Sequence, residues 1–178
     1  MWIAILLAAA VVMAGVLAIV AVVAAGASER AREGVDVAQS ALWAAGFAEH
    51  EQHVLATLAT LARSELDAAG VEVVIAPPGW SGDGIVVTGS HIAASRLGVR
   101  IAVGSGLVGR VLATGRTALS EPRVAMAVPI RGGAGLLGVI LATSPGPDRL
   151  FGVLDVDRLE ALVAQTARQL GGSISRSA

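Results

Sequence analysis

The 178-residue sequence contains no cysteine, lysine, asparagine or tyrosine. Without cysteine there is no disulfide, no thiolate nucleophile and no cysteine-based zinc site. Without lysine there is no P-loop lysine and no Schiff-base chemistry. Thirteen basic residues, all arginine, against fourteen acidic ones give a net charge of −1. This balance excludes the strongly basic surface with which nucleic-acid-binding proteins contact phosphates, so we predict no nucleic-acid partner.

Charge is also missing from the N-terminal run Met1 to Ser28, since every charged residue lies from Glu29 onward. About 20 apolar residues, rising about 1.5 Å each, cross a hydrocarbon core of about 30 Å, so residues 1–28 predict a transmembrane anchor. A cleaved signal peptide is the alternative, because Ala25, Gly26 and Ala27 resemble a cleavage site. We favour the anchor, because the run lacks a basic start and exceeds a signal-peptide core of about 7 to 15 residues.

The orientation of such an anchor follows from the basic residues at its two ends. None precedes the run, whereas Arg30 and Arg32 follow it in residues 29–34, which we interpret as a juxtamembrane linker. The positive-inside rule then predicts a single-pass protein of the cell membrane, with its N-terminus outside and its C-terminal domain in the cytoplasm.

The body of the chain begins with a long helical pattern over residues 35–69, in which apolar residues recur at steps of three and four. Gly46 interrupts this pattern and Gly70 closes it. A second amphipathic helix is predicted over 156–170, before a flexible tail at 173–178. Between the helices lie short β-rich runs bounded by turn residues, at 71–76, 84–90, 117–120, 124–131 and 136–143.

Grouped strands between two helices favour an α+β fold over alternating βαβ units. A glycine-rich segment at 104–115 interrupts the strands and is predicted to form a short helix ended by Gly115. Its first six residues satisfy G-x-G-x-x-G, a pattern by which a backbone approaches a pyrophosphate. Dinucleotide binding also needs parallel strands and an acidic residue about 20 positions further on, where this chain has Val124, Ala125 and Met126. The motif alone is therefore a weak signal.

Three segments together resemble the second half of a GAF domain: VGSGLVGRVLATGR at 103–116, AVPI at 127–130 and GVIL at 138–141, followed by an amphipathic helix. The resemblance covers roughly residues 35–170, and we assign the GAF-like domain to 35–172. It implies a central antiparallel sheet of five or six strands, with the N- and C-terminal helices packed as a pair on one face, where such domains commonly dimerise. It also implies a small-molecule pocket on the opposite face, under the insert between the second strand and the glycine-rich helix.

The sequence departs from the GAF subtypes whose ligands are known. Bilin attachment and methionine-sulfoxide reduction in this family use cysteine, and the cyclic-nucleotide subset has a motif with asparagine and lysine; none of these residues occurs here. A haem-binding subset uses a histidine, for which His91 at the start of the insert is the candidate. A solvated loop histidine is the simpler interpretation, so we predict no cofactor.

Other polar residues give candidates for a pocket but not for catalysis. His50 and His53 share a helix face without the zinc-protease spacing, so we interpret them as exposed and predict no metal site. The sequence contains no evident nucleophile with an acid–base partner, so we predict that the protein is not an enzyme. Arginines near the glycine-rich turn are either pocket ligands or solvated surface residues. The candidate pocket residues are His91, Arg96, Arg100, Ser105, Arg110 and Arg123.

The sequence thus predicts a membrane-anchored, non-catalytic regulatory or sensory module that binds a small molecule, a partner protein, or both, and passes its signal to another chain. We expect a homodimer or a partner contact through the helices at 35–69 and 156–170. The alternative is an assembly subunit of a membrane complex, in which the GAF-like pocket is filled by apolar side chains and binds no ligand.

Overall fold

The computed structural model describes the backbone of residues 2–77, 82–132 and 135–174, and the side chains of those residues from Val23 to Leu170. These residues form a six-stranded sheet with helices on both faces. Its helices are α1 (Trp2–Ala44), α2 (Glu49–Leu66), α3 (Gly106–Thr114) and α4 (Val153–Ile174), and a short 3-10 helix covers Ala94–Arg96.

The strands are β1 (Gly70–Ile75), β2 (Gly84–Ser90), β3 (Arg100–Ile101), β4 (Ala118–Leu119), β5 (Ala125–Gly132) and β6 (Gly135–Thr143). They lie in the order β3-β2-β1-β6-β5-β4, and every pair of neighbours is antiparallel. The predicted α+β fold and antiparallel sheet are confirmed. Since the strands that the structure describes contain no parallel pair, the geometry of a dinucleotide-binding unit is absent there.

The helical pattern predicted over residues 35–69 is two helices in the structure. The chain turns between Ala44 and Glu49, where Gly46 adopts a left-handed backbone (φ 77°). The second helix ends at Asp67, which is itself left-handed (φ 48°), and Gly70 opens β1 rather than closing the helix. At the other end, residues 29–34 are helical and continuous with α1, where the sequence predicted a linker.

The main hydrophobic core lies between α1, α2 and α4 and one face of the sheet. Alternation along β1 turns Val71, Val73 and Ile75 toward these helices, and all three are fully buried. Leu58 of α2 and Leu159 of α4 belong to the same core. The buried residues of each helix recur at steps of three and four, so one apolar stripe of each helix lies on the sheet. This layer fixes the sheet and leaves its opposite face for the insert and α3.

The membrane prediction concerns the N-terminal half of α1. Among the residues whose side chains are described, no helix is both long enough and apolar enough to span a bilayer. The charge-free run 1–28 lies largely outside those residues, so the transmembrane anchor stays a prediction. The predicted tail at 173–178 begins inside α4, which continues to Ile174, and its last four residues lie outside the described chain.

An ion pair braces the loop that joins β6 to α4. The Arg149 guanidinium donates to both Asp155 carboxylate oxygens at 3.1 and 2.8 Å, and to the carbonyl of Leu66 at 3.3 Å. The Gly152 N–H donates to the same carboxylate at 2.8 Å. These contacts, led by the Arg149 hydrogen bonds, lower the pKa of the Asp155 carboxyl below its ordinary value. The loop is therefore tied to the ends of both α2 and α4.

The Asp155→Asn variant is expected to lose part of the pH dependence of stability. Because the folded pKa of Asp155 is depressed, its stabilising effect is present above the unfolded value of about 4 and is lost as pH falls through the folded value. Urea unfolding at neutral and acid pH should show a smaller loss on acidification for Asp155→Asn than for the natural chain. The exposed Asp157→Asn is the matched control, and equal behaviour of the two variants would contradict the assignment.

Candidate functional site

The sheet face opposite the main helices is covered by the insert between β2 and β3 and by α3. Its floor consists of Val74, Val86, Ala127 and Val139, each fully buried. The helix α3 packs onto this floor through its buried residues Val108, Val111 and Leu112. The insert and β3 add partly buried residues, namely Ile92, Leu97, Val99 and Ile101. A second, smaller apolar core therefore occupies most of this face.

The glycine-rich turn before α3 has a packing role. Gly104 and Gly106 adopt left-handed backbones (φ 82° and 61°), and the Gly104 N–H donates to the carbonyl of Gly109 at 2.7 Å. A Cβ at Gly109 would lie 2.3 Å from the carbonyl oxygen of Ala102. The three glycines of the motif thus allow α3 to approach its own entry loop, and Gly115 ends the helix in a left-handed conformation (φ 64°), as predicted.

A shallow groove of about 330 Å³ remains between the insert, α3 and the start of β5. Most of its wall is apolar, and its polar groups are two serine hydroxyls and one arginine. Ser105 at the start of α3 makes no side-chain capping bond to the described residues, so its hydroxyl is available to the groove. The groove is lined by Arg96, Ile101, Ser105, Gly106, Leu107, Val108, Ser120, Ala125 and Leu141.

The arginine of the groove is held by a carboxylate from the sheet. Nε and Nη2 of Arg96 each donate to one oxygen of Glu72 at 2.7 Å, in a bidentate pair. Glu72 is largely buried on β1, with 13% of its side chain exposed, whereas Arg96 is 41% exposed at the rim. The hydrogen bonds to Glu72 raise the pKa of the Arg96 guanidinium. The pair fastens the insert to the middle of the sheet and leaves the outer edge of the guanidinium facing solvent.

The structure brings two of the six predicted pocket residues, Arg96 and Ser105, into one groove. The other four are exposed and do not line it. His91 ends β2 with a left-handed backbone (φ 56°), and Arg100 lies on the edge strand β3. The remaining two, Arg110 and Arg123, lie on the outer side of α3 and in the β4–β5 connection.

Glu72 was not among the residues predicted from the sequence, although its position in the sequence is informative. It is the single acidic residue within the apolar run at 71–76, on a strand whose neighbours are buried on both faces. A carboxylate at such a position needs a cationic or hydrogen-bonding partner. The partner is Arg96, 24 residues further on.

A larger groove of about 590 Å³ lies on the other side of the sheet, between α4 and β5. Val128, Val163 and Ala167 form part of its wall, and at its mouth Thr117 donates to the Glu160 carboxylate at 2.6 Å. Arg131, also beside this groove, donates to the carbonyl of Gly115. Among the described residues, no group of histidine, aspartate or glutamate side chains could hold a metal ion.

No protein-family model matches the sequence, and no curated protein matches it. Solved structures are similar to it. The second GAF domain of DevS from Mycobacterium smegmatis is 20% identical, with 72% of this chain and 99% of that one covered and a TM-score of 0.61. The GAF domain of an Acinetobacter phosphoenolpyruvate-protein phosphotransferase is 12% identical, with 80% and 96% covered and a TM-score of 0.62.

A GAF domain of a phosphoenolpyruvate-protein phosphotransferase from Coxiella burnetii is also similar, at 13% identity, with 82% of this chain and 97% of that one covered and a TM-score of 0.59. The likeness extends over most of this chain and nearly all of each compared domain. The sheet order, the helical layer on one face and the insert over the other agree with the family resemblance found in the sequence. The chain has the fold of a GAF domain.

Proposed function

We propose that this protein is a non-catalytic, membrane-anchored sensory module that binds a small molecule in the groove between the insert and α3. The observation that carries the proposal is the groove itself, at whose rim the bidentate pair of Arg96 and Glu72 holds the insert. Ligand pockets are mostly apolar, with a few placed polar groups, and this groove has that composition on a small scale.

The groove fits a small, largely apolar molecule with a single polar or anionic group. Its wall offers Leu107, Val108 and Leu141 for apolar contact, and the Ser105 hydroxyl for a hydrogen bond. The Ser120 hydroxyl already donates to the Pro122 carbonyl and accepts from the Ala125 N–H. An anionic group would meet the exposed edge of the Arg96 guanidinium, in competition with Glu72. Such competition would loosen the insert from the sheet, so occupancy of the groove would be coupled to the position of the insert.

A direct contact connects the insert to α1. Gly34 of α1 lies so close to the insert that a Cβ there would be 2.3 Å from the carbonyl oxygen of Leu97. A Cβ at Gly98, conversely, would lie 2.5 Å from the carbonyl oxygen of Gly34. Two backbones in contact without side chains between them transmit a displacement with little loss. We infer that a shift of the insert moves α1, the helix that continues into the charge-free run.

The output passes to another chain through the outer face of α2 and α4, as a homodimer or with a partner. These helices lie side by side, and a shallow groove between them is lined by Leu61 and Leu162 among others. Leu61 is 49% exposed in the single chain. A contact that buried this side chain would recover hydrophobic free energy, and sedimentation velocity of the detergent-solubilised chain tests for the homodimer.

Ligand binding should raise the thermal stability of the full chain, because a molecule that binds only the folded state stabilises it by mass action. The experiment is thermal unfolding in detergent with medium-chain carboxylates, aromatic acids and nucleobases. Ser105→Trp, which fills the mouth of the groove at a position without a side-chain capping bond to the described residues, is expected to abolish the shift. Ser64→Trp on the exposed side of α2 is the matched control and should retain it.

A second function, assembly without a ligand, is favoured by the packing of the same face. The buried valines and leucines of α3 and the sheet fill the face beside the shallow groove. If no compound shifts the unfolding temperature of the natural chain, the sensor is contradicted and the assembly subunit becomes the better proposal.

A further inference from the structure

Three apolar side chains are exposed where the β6–α4 loop enters α4: one at the end of the loop and two in the first turn of the helix. Leu150 is 49% exposed, Val153 72% and Leu154 71%, and the last two are the most exposed large aliphatic side chains of the described residues. They lie on either side of Phe151 in the sequence, and Phe151 is itself buried, at 1% exposed. A contiguous exposed apolar patch of this kind marks a contact surface.

The patch is held in place by the loop that carries it. Arg149 pairs with Asp155, donates to Leu66 and lies over the Phe151 ring at 5.4 Å from its centroid. The Phe151 N–H donates to the carbonyl of Arg123 at 2.9 Å. The apolar side chains are therefore exposed on a braced segment, and the Arg149 charge beside them is paired with Asp155.

The same end of the domain is the one from which α1 departs. The turn at 45–48 reverses the chain, and two contacts place α1 as it runs back from that turn. Gln39 of α1 donates to Gln52 of α2 at 3.2 Å, and Gly34 lies against Leu97 and Gly98 of the insert, where the Gly98 N–H donates to the carbonyl of Val86 in the middle of β2. Going back from the turn, α1 therefore runs toward the end of the sheet at which α2 ends. From Gln52 to Leu66, α2 rises by roughly 21 Å, and the residue of α1 level with Leu66 is therefore about residue 25. That level falls inside the charge-free run ending at Ser28.

The patch thus lies where the chain would enter a bilayer, since Arg149 ties the loop of the patch to Leu66. We propose that Leu150, Val153 and Leu154 insert into the membrane interface beside the anchor and fix the domain end-on against the bilayer. This inference rests on the proposed membrane anchoring. Apolar side chains inserted at the headgroup boundary add binding free energy in proportion to their buried area, so the patch would give the anchored domain one orientation.

The absence of cysteine makes the test direct, because a single introduced cysteine is the only site for a thiol-reactive fluorophore. The full chain carrying Val153→Cys is labelled and reconstituted into vesicles of phosphatidylcholine with a minor fraction of phosphatidylglycerol. The matched control is Val103→Cys, which is 42% exposed and lies beyond β3 at the opposite end of the sheet. A second patch variant, Leu154→Cys, covers the case in which Val153→Cys fails to fold.

We expect blue-shifted emission and several-fold stronger quenching by brominated lipids at positions 153 and 154 than at 103, with an aqueous quencher giving the reverse order. Vesicle flotation distinguishes a failure of the proposed membrane anchor from a failure of the proposed patch insertion. If the chain floats with the vesicles but the probes at 153 and 154 resemble the probe at 103, the patch inference is overturned and the anchor is retained. If the chain does not float, the anchor and the patch inference both fail.

Discussion

Leu58→Ala is expected to lower the free energy of unfolding by about 2 to 5 kcal/mol, the usual cost of deleting a fully buried leucine. Leu58 is 1% exposed and belongs to the core formed by α2, α4 and the sheet. Leu61, one turn further along the same helix, is 49% exposed. In the single chain Leu61→Ala should cost about 1 kcal/mol or less, since substitutions of half-exposed surface side chains have small effects, so both variants are measured at a concentration at which the chain is monomeric.

The two variants differ in burial but not in residue type, helix or propensity, so their difference isolates the packing of α2 on the sheet. Urea unfolding in detergent, followed by circular dichroism, gives both values under one condition. Equal destabilisation by Leu58→Ala and Leu61→Ala would contradict the position of α2. Such a result would also remove the basis for treating the outer face of α2 as the contact surface.

Five of the six strands were predictable because their limits are set by local chemistry, whereas the two-residue strand β3 (Arg100–Ile101) was not predicted. The run at 84–90 coincides with β2, and the others lie within one or two residues of the strands found, since glycine, proline and aspartate bound each run. The break at Ala45–Ala48 was not located, because the apolar spacing continues through it and only Gly46 marks it. Helical residues 29–34 were missed because their packing partner, Gly98, is far away in sequence.

The candidate site was less predictable than the fold, because its residues come from separate elements. Arg96 and Ser105 were predicted because they lie near or in the glycine-rich turn in the sequence, and in the structure both line the groove. Proximity to the turn also selected Arg100, Arg110 and Arg123, and the position at the start of the insert selected His91, but none of the four lines the groove. A sequence pattern gives the position of a residue along the chain but not the direction of its side chain. Glu72 faces the insert because of strand alternation combined with sheet order, and the sheet order requires long-range pairing.

The insert connects the features on which the proposed function depends. Through Arg96 it is fixed to the sheet at Glu72, it forms one wall of the groove, and at Gly98 it touches α1. A change at the groove can therefore reach α1 by a path of direct contacts. The braced patch at 150–154 lies at the end from which α1 departs, so this path leads to the surface that we place against the membrane.

The second large effect on stability is expected from a substitution at the contact between the insert and α1. Gly34→Ala is expected to destabilise the domain, although alanine in place of glycine inside a helix normally stabilises it by about 0.5 to 1 kcal/mol. The new Cβ would lie 2.3 Å from the Leu97 carbonyl oxygen, a backbone atom that cannot rotate away. Overpacking of this kind costs about 1 to 3 kcal/mol, so the net change should be unfavourable.

Gly26→Ala is the matched control in the same helix, because among the described side chains its Cβ would meet the flexible Arg30 side chain, at 3.7 Å, and no backbone atom outside the helix. We expect Gly26→Ala to leave the unfolding temperature unchanged or raised, and Gly34→Ala to lower it. Hydrogen exchange should show faster exchange at residues 94–98 in Gly34→Ala alone, since only that substitution separates the insert from α1. Similar stability and exchange in both variants would mean that α1 and the insert are not in backbone contact, and the proposed route from the groove to the membrane helix would be lost.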